Sequence, residues 1–273
     1  MFVVLSYGLA WLVASPLWSG PGLTDSRLPV LAVLMMATPA VVSVLGWRPP
    51  HAAQLLGLVP LRPRRRTLGY VLVGLLGAPT LGLLALLLGA ALNVATLTTS
   101  PGTAAALAGI PLYTALILVP AFGEELGWRG FLLPALCPLG TWPALLLSGA
   151  VWGVWHSPLI LLGYNYGLTN GVGVLLMTVS TTLIGVLFGW LRMRSASVWP
   201  STFAHASFNA SSGLLLAALL PPGQPDVTPS LLGWVGWIVI AVVVVLLAAL
   251  RTFRWAGPGT TSARSATDVG GKG

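Results

Sequence analysis

The chain has 273 residues, 56% of them apolar and 7% charged, with a mean hydropathy of +0.91. Soluble domains carry about 25% charged residues, so this composition excludes a fully water-facing exterior and reads as an integral membrane protein. The net charge of +8 would ordinarily point to nucleic acid or acidic partners, but its distribution assigns it elsewhere. The one cysteine, Cys137, excludes an internal disulfide. Arginine outnumbers lysine twelve to one, with Ala, Gly and Pro abundant. That usage fits a GC-rich coding sequence and hence a prokaryotic plasma membrane.

Taken in order, the chain reads as eight apolar spans near the ~20 residues that a bilayer requires. The first, about 1–18, lacks a basic leading segment and is expected to be a retained span, not a cleaved signal peptide. A loop with Asp25 and Arg27 precedes a span at 28–47, and the most basic loop follows, from Arg48 to Arg66. It also holds His51, read as a headgroup-level residue. The third span is 68–95 and the fourth 106–126. A fifth runs over 142–157, with Pro158 marking its end. The sixth, 171–191, closes at Arg192 and Arg194, and the seventh covers 199–220. After a Pro-rich loop with Asp226, the eighth spans 230–250 and ends in Arg251 and Arg254.

This alternation puts twelve of the thirteen basic residues on one side and leaves Arg27 alone on the other. The asymmetry predicts an all-α, polytopic transmembrane bundle of about eight spans with both termini cytoplasmic. The arginines then orient helices and touch anionic lipid headgroups, which leaves no part for nucleic acid. Residues 1–256 form one transmembrane domain, and the Gly-, Ser- and Thr-rich stretch 257–273 is expected to be a disordered cytoplasmic tail. No internal repeat is visible, so a transporter built from inverted repeats is not indicated.

Ionisable side chains at membrane depth are costly and usually mark function. The only two glutamates, Glu124 and Glu125, stand side by side in the fourth span. On a helix, Glu125 and Arg129 share a face at i,i+4 and can pair, while Glu124 points about 100° away. Two further constellations use the same spacing: Trp152 with His156, and His205 with Asn209. Each has a bland alternative. The Glu–Arg pair can be a structural clasp, a histidine in a span is commonly a hydrogen-bonded packing residue, and His205 with Asn209 can be interhelical glue. Together, one free carboxylate, two histidines, an amide and an arginine make a complete hydrolytic set.

These residues resemble the CPBP family of intramembrane proteases, also called the Abi or CAAX-protease and bacteriocin-processing family. Its three motifs are Glu-Glu-x-x-x-Arg, an aromatic-x-x-x-His and a His-x-x-x-Asn. Here they stand in the same order as Glu124-Glu125-Leu126-Gly127-Trp128-Arg129, Trp152-Gly153-Val154-Trp155-His156 and His205-Ala206-Ser207-Phe208-Asn209, within a core of about 106–215. Trp152 occupies a position where Phe is commoner, which is read as a conservative change that preserves an aromatic wall. The resemblance implies an intramembrane endopeptidase acting on a membrane-associated or lipidated peptide. Family members trim prenylated CAAX termini or are tied to bacteriocin immunity.

Amide hydrolysis needs a nucleophile, a base and donors for the developing oxyanion. No Gly-x-Ser-x-Gly elbow or His-Glu-x-x-His signature is present, so the nucleophile is water. With the family as guide, Glu124 is the general base, His156 orients the water, and His205 and Asn209 donate N–H groups to the substrate carbonyl. Glu125 and Arg129 hold the frame. No cofactor is preferred. The competing reading takes Glu124, His156 and His205 as three zinc ligands with an open position for water. Outside hydrolysis, a non-enzymatic immunity factor or scaffold and a proton-coupled transporter stay open. On this layout His156, late in the fifth span, lies roughly 10 Å nearer the outer face than Glu124 and His205. Closing that gap needs a later start to the fifth helix or a segment 158–170 that dips back.

Overall fold

A computed structural model describes residues 1–46, 51–60, 63–221 and 227–254. Arg48, Arg62, Asp226 and the tail from Gly257 to Gly273 lie outside the described residues. All regular structure among the described residues is helical. Each of the eight expected apolar segments contains one long helix: α1 (Phe2–Trp18), α2 (Leu28–Gly46), α3 (Arg64–Ala91), α4 (Thr103–Glu125), α5 (Thr141–Trp155), α6 (Gly171–Ser195), α7 (Trp199–Leu219) and α8 (Trp234–Ala249). Among the described residues, four stretches are long and apolar enough to cross a membrane: Leu28–Leu45, Arg64–Ala91, Thr103–Leu139 and Gly171–Ser195. The helices α1 and α8 are apolar but shorter.

Burial is arranged for an apolar surround. Leu12, Leu76 and Val119 stand on the outside at 67, 64 and 77% exposure, whereas Ser6, Ser180, Ser195, Ser201 and Thr202 are wholly buried. Water would favour the opposite sorting. Inside, the buried hydroxyls mostly return to carbonyls of their own helix, as Thr182 Oγ1 does to Thr178 O and Ser195 Oγ to Leu191 O, which satisfies them without solvent.

The helix α7 lies at the centre, against α3 and α4, while α5 packs on α6 and α2 lies along α4. Close approach is set by small residues, since lipid tails supply little hydrophobic drive for helix association. Gly123 and Gly127, four apart, face α2. A Cβ on Gly123 would meet Met36 O at 2.8 Å, and one on Gly127 would overlap Pro39. Gly149 and Gly153, again four apart, face α6, where a Cβ on Gly149 would meet Thr182 Cα at 2.6 Å. At the α1–α2 turn, Arg27 donates to both carboxylate oxygens of Asp25. Those donors hold the Asp25 carboxyl down at about 2, so the contact persists until the pH falls towards that value.

Two features correct the linear reading. The fourth segment does not stop near residue 126. It runs on as a π-turn over Leu126–Leu132 and a short helix over Leu133–Leu136. The fifth helix does start where expected, at Thr141, but with 15 residues it is only about 22 Å long, short of the ~30 Å hydrocarbon layer. It stops at His156 because Pro158 lacks the N–H that would continue the ladder. The chain then forms a short helix, Ser157–Ile160, whose last three residues are buried, and turns so that Tyr164 and Asn165 face the same cavity as His156. The later start is thereby excluded, and the segment after Pro158 packs against the cavity instead.

Gly149→Ala forces α5 and α6 apart, and overpacking of this kind costs about 1–3 kcal/mol. Thermal unfolding in detergent should show a lower midpoint for that variant. Gly8→Ala, where a Cβ meets nothing within 4 Å, should leave the midpoint unchanged or slightly higher.

Candidate active site

The two glutamates diverge as adjacent residues on a helix must. Glu125 is fully buried, and its Oε1 accepts from Arg129 Nη1 at 2.7 Å. The same oxygen lies 3.0 Å from Nδ1 of His205 on α7. Glu124 turns the other way, where its Oε2 accepts from the indole Nε1 of Trp152 at 2.6 Å. The Arg129 guanidinium sits over the Trp152 ring at 4.3 Å and near that of Phe188 at 5.2 Å, contacts that are worth more when both partners are dry. It fits because Gly185 has no side chain: a Cβ there would lie 3.1 Å from Arg129 Nη2.

The π-turn that begins one residue after Glu125 widens the helix and releases carbonyls from their regular partners, a pattern frequent at functional sites. Arg129 O, freed in this way, accepts from Arg192 Nε at 3.1 Å, while Arg192 Nη2 donates to Leu55 O. Arg192 is 3% exposed. Its expected place among headgroup-facing arginines is therefore corrected: it closes helix ends inside the protein. Nothing in the local sequence distinguishes it from Arg194, whose Nε reaches Tyr70 OH at 3.3 Å.

The end of α5 is clasped from three directions. Tyr7 OH donates to Val151 O, Trp18 Nε1 to Pro158 O and Trp155 Nε1 to Thr38 Oγ1. His156 is held there with Nδ1 2.9 Å from Trp152 O. A carbonyl only accepts, so the network assigns the proton to Nδ1 and leaves Nε2 with a free lone pair. The same logic applies to His205, whose Nδ1 faces the Glu125 carboxylate. This qualifies the donor role expected for His205. Neutral His205 presents an acceptor at Nε2, and only the imidazolium form donates from it.

Glu124, His156, His205 and Asn209 line one cavity of about 430 Å³, together with Trp152, Tyr164 and Asn165. A water molecule takes about 30 Å³ in the liquid, so the space holds a substrate segment as well as a nucleophile. Glu125 and Arg129 are not on its wall. Tyr164 and Asn165 escape a sequence reading because their segment shows no periodicity; the pairs Gly123/Gly127 and Gly149/Gly153 were visible as small-x-x-x-small signals. Trp152 is more than the aromatic wall that its position implies, since Phe would lack the N–H that reaches Glu124. As for zinc, each histidine has its Nδ1 committed and its Nε2 free, which suits a metal ligand. Yet among the described residues no three His, Cys, Asp or Glu side chains stand close enough to hold an ion. In this arrangement Glu124, His156 and His205 do not make a coordination sphere.

Residues 105–211, which contain all three constellations, match the family model described as type II CAAX prenyl endopeptidase Rce1-like. That stretch is similar to the CAAX-endopeptidase family over its three constellations. It is also 30% identical over 115 residues to a curated protein named CAAX prenyl protease 2 from Methanococcus maripaludis. That alignment covers 39% of this chain and 41% of the relative.

Breaking the Glu125 cluster should show first as lost stability. Glu125→Gln strands Arg129, and removing one half of a buried ion pair costs about 3–5 kcal/mol. Replacing Glu125 and Arg129 together by apolar residues should recover part of that loss, the remainder belonging to the partner lost by His205. Thermal unfolding of the two variants in detergent checks this, and a Glu125→Gln variant as stable as wild type contradicts it.

Proposed function

We propose that this chain is an intramembrane endopeptidase that hydrolyses a peptide bond with a water activated by Glu124. The observation that carries the reading is the meeting of Glu124, His156, His205 and Asn209 on one cavity wall. A scaffold that had merely kept the fold would not require both histidines to face the cavity that Glu124 faces. In the proposed reaction, water lies between Glu124 and His156 Nε2. Glu124 takes one proton as the oxygen attacks the scissile carbonyl, and His156 accepts a hydrogen bond from the other. The negative charge that develops on the carbonyl oxygen is met by the Asn209 amide and by His205 in its imidazolium form. Glu124 then returns its proton to the leaving amine. Glu125 and Arg129 stay outside the chemistry and fix His205 and the turn.

For the substrate we propose a membrane-associated or lipidated peptide. The curated relative is named a CAAX prenyl protease, and a second, almost wholly apolar cavity of about 530 Å³ shares the walls Ile184 and Phe208 with the first. It has room for a lipid chain beside the cleavage site. No cofactor and no nucleic acid take part in this reading, and membrane lipids are the surrounding partners. We place the chain in a prokaryotic plasma membrane with eight spans and both termini cytoplasmic, supported by the bias of twelve basic residues to one.

Purified protein in detergent should cleave a quenched fluorogenic peptide ending in an S-farnesylated Cys-aliphatic-aliphatic-Met sequence, with and without a chelator. Glu124→Gln keeps the shape and removes the base, so turnover should vanish while the protein stays folded. One equivalent of tightly held zinc that is lost in His156→Ala would replace the water-and-glutamate reading with a metal-dependent one. Reporter fusions after Arg66 and Arg194 should report cytoplasm and one at Pro229 the exterior; a cytoplasmic signal at Pro229 would refute the eight-span arrangement.

A further inference from the structure

We propose that Trp152 is a positioning residue for Glu124, acting through its indole N–H on the carboxylate that serves as base. The role rests on the general-base reading of Glu124 given above. Its indole is 2.6 Å from Glu124 Oε2, and both residues are 2% exposed. A donor facing a carboxylate in a dry site makes a charge-assisted bond, shorter and stronger than a neutral one. Glu124 has no second hydrogen bond among the described residues. The other indole near it, on Trp128, is buried with its Nε1 outside hydrogen-bond geometry. With Oε2 held by the indole, Oε1 is the oxygen left to meet a water, and Glu124 lines the cavity.

The same residue also touches Arg129, His205 and His156. Its ring covers the Arg129 guanidinium and stands edge-on to His205, with centroids 5.2 Å apart. Its backbone carbonyl accepts from His156 Nδ1. These contacts separate cleanly by chemistry. A phenyl ring at 152 would retain the aromatic face over Arg129, and any residue there retains the carbonyl. Only the N–H is peculiar to tryptophan. Among the described residues the indole of Trp152 is the side chain that hydrogen-bonds Glu124. Loss of the indole N–H therefore leaves the carboxylate free to rotate away from the water and without its partner.

The test combines kinetics with a readout that does not depend on turnover. The variants are Trp152→Phe and a chain carrying 3-benzothienylalanine at 152, which keeps the bicyclic shape with sulfur in place of N–H and guards against misfolding. In both, kcat on the farnesylated fluorogenic peptide should fall roughly 10- to 100-fold, the worth of one hydrogen bond to a charged group, with KM and thermal midpoint little changed in the shape-matched chain. In 15N-indole NMR of the detergent-solubilised protein, the resonance that disappears in Trp152→Phe should lie downfield and move upfield in Glu124→Gln. An unchanged kcat in the benzothienyl chain, while Glu124→Gln is inactive, overturns the positioning role and spares the peptidase reading. An indole resonance that ignores Glu124→Gln overturns the contact itself. Wild type that fails to cleave, or Glu124→Gln that still cleaves, overturns the peptidase reading and the positioning role with it.

Discussion

One carboxylate oxygen, Glu125 Oε1, receives both Arg129 and His205 in a place that water does not reach. A buried charge without partners is among the costliest features a fold can carry, and paired it becomes a constraint on everything nearby. Here the constraint joins the turn after α4 to the middle of α7. It also dictates that a cation stand between Trp152 of α5 and Phe188 of α6, which is possible because Gly185 leaves room for it. Four elements are thereby tied to one atom.

The division between the two glutamates follows from that tie. Adjacent helical residues point in different directions, so once Glu125 is claimed by Arg129 and His205, Glu124 has to face elsewhere. Elsewhere is the cavity. The π-turn keeps the Glu125–Arg129 contact at 2.7 Å while exposing Arg129 O to Arg192. An arginine that would look ordinary at a helix end is thus drawn inside to meet a carbonyl left unsatisfied by the turn, as a dry interior demands.

His156 reaches the same cavity by a different device. The fifth helix has only 15 residues, and its C-terminal end is held by Tyr7, Trp18 and Thr38 from the first two helices. Those two helices fall outside the 105–211 segment that matches the CAAX endopeptidase model, yet they fix one of its histidines. Glycine pairs at the end of α4 and on α5 bring α2 and α6 to near backbone contact, where side chains would have kept the site apart. The small residues are as much a part of the site as the charged ones.

By itself the sequence determined the solvent, the all-helical class and the eight apolar segments, because composition and a ~20-residue hydrophobic length are local, one-dimensional quantities. It also determined that Glu125 pairs with Arg129, since that contact needs only helical periodicity. Tertiary structure alone decided which nitrogen of His205 is engaged, what Glu124 leans on and where Arg192 goes, for each partner lies on another helix. It decided too that the chain beyond Pro158 folds back, because the length of α5 matters only against its neighbours. The role of Trp152 shows the boundary well. Spacing placed it on the face of His156, but that its N–H meets Glu124, 28 residues earlier, depends on how closely α5 approaches α4, and no periodicity along one chain encodes that distance.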